Sequence, residues 1–76
     1  MEHQHDLNAE GLYCPEPVMM LHAKVADMAA GEVLRVTATD PSTQRDIPQF
    51  CRMLGHTLLS AEQEDSIFVY LIQKSG

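Results

Sequence analysis

The sequence predicts an α/β chain of the α+β kind: a two-layer sandwich in the order β-α-β-α-β-β. A four-stranded mixed sheet lies under two helices packed on one face. Three observations lead there. Two segments carry apolar residues at helical spacing, Val18-Leu21-Val25-Met28 and Ile47-Phe50-Cys51-Leu54. Two others are β-branched and alternating, or apolar throughout, at 32–39 and 67–72. Glycines and polar clusters separate them. Each helix has a single apolar stripe, so both need the same kind of cover, which one face of the sheet supplies.

Asp6-Leu7-Asn8-Ala9-Glu10 alternates polar and apolar residues and reads as a short, half-buried strand. Gly11 breaks it and permits a turn. Pro15 and Pro17 then mark a helix start, because proline is tolerated in a first turn where its missing N–H has no intrahelical partner. This places Cys14 at the N-cap of a helix running to about Ala29, with Gly31 as its stop. Met19, Met20, His22 and Lys24 fall outside the central stripe. Some of them border the exposed flank beside Cys14, the alternative for Met19 or Met20 being core filler. Glu32-Val33-Leu34-Arg35-Val36-Thr37-Ala38-Thr39 is a strand with Leu34, Val36 and Ala38 on one face. Asp40-Pro41-Ser42-Thr43 signals a turn and a second helix start, with Thr43 and Asp46 approximating a capping box. Pro48 inside that helix means either a start near Arg45 or a kinked first turn. Gly55 ends it. Residues 57–62 form a third strand, joined through a polar turn to a fourth, Ile67-Phe68-Val69-Tyr70-Leu71-Ile72. The fourth is apolar on both faces, as a central strand or a partner-facing one would be.

The 76 residues make one domain, with 1–5 expected to be disordered. Eleven acidic against five basic residues give a net charge of −6, which argues against direct binding to nucleic acid. Basic protein surfaces are the natural partners. No apolar run reaches the roughly 18–20 residues that span a bilayer, and no export signal opens the chain. A cytoplasmic protein with reduced cysteines is expected, a monomer by default. The two cysteines lack metal-site spacing, and neither a metal nor a cofactor is expected.

Cys14 carries the chemistry. A helix N-terminus holds roughly half a positive charge and unpaired N–H donors, both of which favour the thiolate. With the prolines removing donors, the remaining N–H groups of Glu16 and Val18 are candidate partners for the sulfur. Glu16, two residues on, acts in the opposite sense. Cys51 lies on an apolar stripe and reads as core; pairing with Cys14 would need Cα atoms within about 7 Å. His3 and His5 read as solvated, and His22 as too far along the helix to serve Cys14 as a base. Arg45 and Asp46 either cap their helix or sit beside Cys14 on the same edge and contact partners. Glu10 and Glu16 are candidates to flank the sulfur, with Met19 on the neighbouring helix flank. At most one of Phe68 and Tyr70 would line a partner surface on the open sheet face.

Gly11-Leu12-Tyr13-Cys14-Pro15-Glu16-Pro17 resembles the CPxP signature of the TusA family of sulfur carriers, also called SirA-like. Asp40-Pro41, Arg45-Asp46-Ile47-Pro48 and Phe50-Cys51 are similar to that family's second sequence block. The resemblance runs from about Leu7 to Lys74. It implies the same two-layer sandwich, and a carrier whose Cys14 accepts a sulfane sulfur as a persulfide and passes it on. Gly11, Pro15, Glu16 and Pro17 would shape that site. The implied donor is a cysteine desulfurase or rhodanese-like protein and the implied acceptor a DsrE-type protein. These relays serve tRNA wobble-uridine thiolation or dissimilatory sulfur metabolism. Persulfide transfer needs an accessible thiolate and no metal, nucleotide or internal base, which suits a carrier better than a complete enzyme. The rival reading is a redox-regulatory or protein-interaction module on the same fold. A self-contained oxidoreductase is disfavoured, because no second cysteine lies near Cys14 in sequence.

Overall fold

A computed structural model describes residues 3–75. Its elements are β1 (His5–Ala9), α1 (Glu16–Ala26), β2 (Val33–Ala38), α2 (Thr43–Leu54), β3 (Thr57–Glu64) and β4 (Ile67–Gln73). The sheet order is β1-β2-β4-β3. β1 and β2 are parallel, while β4 runs antiparallel to both β2 and β3, so the sheet is mixed as expected. β4 is therefore central, which accounts for its apolar residues on both faces. Phe68, Tyr70 and Ile72 are buried toward the helices, and Val69 and Leu71 are half-buried on the open face.

The core joins Leu21, Val25 and Met28 of the α1 segment to Leu34 and Val36, to Ile47, Phe50 and Cys51, and to Phe68, Tyr70 and Ile72. Fully burying one such aliphatic side chain contributes about 1.5–3 kcal/mol. The expected stripe of the second helix shortens at its end, where Leu54 is exposed. Phe68 and Tyr70 share one face, as residues two apart in a strand must, so neither lines the open face.

Several boundaries differ from the sequence reading. Of the N-terminal residues expected to be disordered, His5 opens β1 and the Gln4 N–H donates to the Val33 carbonyl at 3.0 Å. Met1 and Glu2 lie outside the described residues. α1 stops at Ala26 rather than Ala29. The Asp27 and Met28 N–H groups reach back only three residues, to the Lys24 and Val25 carbonyls, and tighten the last turn. The segment beyond is held by the residues just before β2 and just after β4 instead. Ala29 donates to Glu32 Oε1 at 2.8 Å, and Lys74 Nζ donates to the Met28 carbonyl at 2.6 Å.

α2 begins at Thr43, not near Arg45, and no capping box forms. Its first N–H groups, those of Thr43, Gln44 and Arg45, donate to carbonyls three residues back. Pro48 has no N–H to offer the Gln44 carbonyl one turn back, and Gln44 is exposed to solvent. Gly55 closes the helix in the left-handed region at φ 79°, with the His56 N–H on the Cys51 carbonyl at 2.9 Å.

The parallel pairing decides where a site can form. Ala9 and Ala38, the last residues of β1 and β2, stand opposite each other. The chain leaving β1 toward Cys14 and the chain leaving β2 toward Asp40 therefore emerge side by side. The carboxyl ends of parallel strands are the usual location of sites in open α/β sheets.

Candidate functional site

Cys14 is free and exposed at that edge. It is not the N-cap of α1. Pro15 holds that place, and the Glu16 N–H donates to the Tyr13 carbonyl at 2.8 Å, so it is unavailable to the sulfur. The backbone just before the helix turns once on itself, and Cys14 lies inside that turn.

Two bonds fasten this loop to the start of α2. The Gly11 N–H donates to Thr39 Oγ1 at 2.9 Å, and the Cys14 N–H donates to Asp40 Oδ2 at 2.8 Å. Gly11 has φ 79°, a backbone conformation in which glycine carries no steric penalty. Asp40 is the residue the sequence reading passed over as a turn signal. Its carboxylate also accepts the Ser42 N–H at 3.0 Å and the Ser42 hydroxyl at 2.7 Å. Asp40 thus folds the turn that leads into α2, whose N-cap Ser42 makes no side-chain cap bond, and the same carboxylate grips the reactive loop. Its pKa is held below the ordinary value by the Ser42 hydroxyl, the Ser42 N–H and the Cys14 N–H, in that order.

Beside the sulfur opens a groove between the helices of about 280 Å³. Pro15, Val18, Phe50, Met53 and Leu54 make its apolar wall, with Cys14 and Asp46 on its rim. His22 lines it too and meets Phe50 edge-on, with ring centroids 4.7 Å apart. Met53 is 75% exposed and Tyr13, next to Cys14, is 70% exposed. The sequence reading found neither Asp40 nor this wall. The available signal was Met53, an apolar residue beside Leu54 that falls off the helix's core stripe.

The structure brings Arg45 and Asp46 to Cys14. Arg45 Nε donates to Asp46 Oδ1 at 2.9 Å, and both act electrostatically on the sulfur. The Cys14 thiol is raised above its ordinary pKa, first because its proton is shared with the Asp46 carboxylate, then by partial desolvation and by the charges of Asp46 and Asp40. Arg45 pulls the other way. The carboxylates that oppose the thiolate come from the second block, not from Glu16, which is exposed in the first turn of α1. Pro17 is buried beneath that turn. Met19 is exposed on α1, and Glu10 is exposed with its N–H on Asn8 Oδ1 at 3.0 Å.

Cys51 is buried in the core and its thiol is pushed up by that burial. The histidines taken as solvated have partners. His3 Nε2 lies 3.0 Å from Asp6 Oδ2 and His5 Nε2 lies 2.9 Å from Glu32 Oε1. Among the described residues no group of three or more His, Cys, Asp or Glu side chains is placed to hold a metal ion. No helix among them is long and apolar enough to cross a membrane.

Comparison with known proteins points in one direction. The family model described as Sulfurtransferase TusA matches residues 5–74. A protein of Pseudomonas syringae named sulfur carrier protein TusA is 59% identical over 71 residues, covering 93% of this chain and 84% of the relative. A Pseudomonas entomophila protein of the same name is 58% identical over 74 residues, covering 97% and 92%. The crystal structure of a SirA-like protein from Desulfitobacterium hafniense superposes with a TM-score of 0.84 at 19% identity, over 96% of this chain and all of that one. At that identity the likeness speaks for the fold.

Proposed function

The chain belongs to the TusA family, and from that premise we propose that it is a sulfur carrier whose Cys14 bears the sulfur as a persulfide. The observation that carries this reading is a free cysteine on the rim of an apolar groove, open to solvent and fixed by its backbone rather than enclosed. A partner's cysteine loop can reach such a sulfur. An enclosed thiol would need the carrier to open first.

The transfer balances without an outside oxidant. The Cys14 thiolate attacks the outer sulfur of a donor persulfide. The donor's S–S bond breaks, its inner sulfur leaves as a thiolate, and a new S–S bond forms at Cys14. Delivery repeats the exchange, with the acceptor thiolate attacking the outer sulfur and Cys14 leaving. Asp46 raises the pKa of the resting thiol and so lowers its thiolate fraction. A donor that engages Asp46 with a basic group removes the chief influence holding that proton.

The donor class proposed is a cysteine desulfurase or rhodanese-like protein, the acceptor a DsrE-type protein, and the compartment the cytoplasm. The net charge of −6 supports basic protein partners over nucleic acid. The sulfur would serve tRNA thiolation or dissimilatory sulfur metabolism. The proposed contact residues are Arg45 and Asp46, which act on the sulfur, with the exposed Glu10 and Met19.

Incubation with a purified cysteine desulfurase and L-cysteine tests the reading. The wild-type chain and Cys51→Ser should each gain a reductant-labile mass of about 32 Da per sulfur atom, and Cys14→Ser should gain none. Equal loading of Cys14→Ser would overturn it.

A further inference from the structure

We propose that Asp40 is the positioning residue of the carrier site: its carboxylate locks the Cys14 backbone, and Thr43 ties Asp40 to Tyr70 in the core. The proposal rests on the carrier reading only for its consequence, not for its geometry.

A continuous run of hydrogen bonds connects the sheet to the sulfur-bearing residue. Tyr70 and Thr43 are both buried, and their hydroxyl oxygens lie 2.9 Å apart. Thr43 Oγ1 also lies 2.7 Å from the Asp40 carbonyl, which can only accept. Thr43 has one hydroxyl proton and donates it there, so Tyr70 is the donor to Thr43. The Asp40 backbone is thus held from beneath. Above, its side chain binds the Ser42 N–H, the Ser42 hydroxyl and the Cys14 N–H at 3.0, 2.7 and 2.8 Å. Tyr70 and Thr43 are 2% and 1% exposed, and hydroxyls buried to that degree need the partners they have here.

The arrangement solves a mechanical problem. Cys14 sits in an exposed loop whose following proline offers no N–H, so little of its own helix can hold it. Without a tether the sulfur would sample many directions, and productive transfer between two cysteines needs an aligned approach. The Asp40 bond fixes the loop against α2 and so sets the sulfur beside Asp46 and Arg45. The charged and titratable groups that face Cys14 are then Asp40, Arg45 and Asp46 from the α2 start, with His22 on the groove that Cys14 also lines.

Amide exchange of Cys14 in the full chain, followed by NMR, reads the tether without reference to sulfur. Asp40→Ala should speed exchange at that amide by about tenfold or more, the loss expected of a hydrogen bond to a charged acceptor. Thr43→Val preserves shape and leaves the carboxylate in place, and should give a smaller increase at the same amide. It also reads the tether should Asp40→Ala fail to fold. The pH profile of iodoacetamide alkylation at Cys14 should shift to lower pH in both variants, because the sulfur leaves Asp46. Desulfurase-driven loading should slow when compared at equal thiolate fraction. Unchanged exchange and an unmoved profile in both variants would overturn the proposal. If wild-type protein takes up no sulfur, the carrier reading falls while the amide exchange still judges the tether.

Discussion

At Cys14 two opposite charges compete for one proton. Asp46 favours the thiol and Arg45 favours the thiolate, and Asp46 prevails. Asp46→Asn should therefore move the alkylation midpoint of Cys14 to lower pH, with a larger thiolate fraction at pH 7. Arg45→Gln should move it to higher pH. A pH series of iodoacetamide rates measures both, and a shift of the same sign in the two variants would contradict the assignment. Cys14 itself was legible in the sequence, because a cysteine before a proline-marked helix start has few structural explanations. The sign of its pKa shift was not. That sign depends on Asp46 and Asp40, which are distant in the chain and reach Cys14 only because β1 and β2 run parallel. A sequence neighbour, Glu16, drew attention that belonged to them.

The order and number of the elements followed from periodicity and punctuation, and the structure agrees with both. Their ends followed less well, because ends are settled by hydrogen bonds to distant residues. α1 stops early where Glu32 and Lys74 capture the segment after it. α2 starts at Thr43, directly after a turn that Asp40 folds through the N–H and hydroxyl of Ser42. Gly55 was readable as a stop and is one, at φ 79°. Among the described residues only Ser75 Oγ, at 3.8 Å, approaches a Cβ placed there, so the cost of a side chain is conformational. Gly55→Ala should cost about 1–2 kcal/mol and lower the melting temperature by about 4–8 °C per kcal/mol. In the core, Leu21→Ala should cost about 2–5 kcal/mol by chemical denaturation, since Leu21 is fully buried between the layers. A cost below about 1 kcal/mol would mean that α1 is not seated as described.

Across the whole molecule, the two thiols should behave as different species. Native protein should alkylate at one cysteine, and denatured protein at two, because burial shields Cys51 and pushes its thiol pKa up. Stability should also fall as the solution is acidified. Glu32, bonded by the Ala29 N–H and by His5, and Asp40, bonded by Ser42 and Cys14, have carboxyl pKa values below their ordinary 4.5 and 3.8. Their contribution is complete above those ordinary values and is lost as pH falls through the lower folded ones. His56 acts earlier. Burial favours its neutral form, so its contribution is lost as pH drops below the ordinary 6.5. Denaturant midpoints between pH 8 and 3 would register both stages, and a midpoint that rose on acidification would contradict these assignments.

The carrier role depends on where a transferred sulfur comes to rest. Peptide mass analysis under non-reducing conditions, after loading from a persulfide donor, locates it most directly. One added sulfur on the peptide containing Cys14, removed by reductant and absent from the Cys51 peptide, is the result this account requires. Sulfur on Cys51, or none on a Cys14 that still alkylates normally, would contradict it.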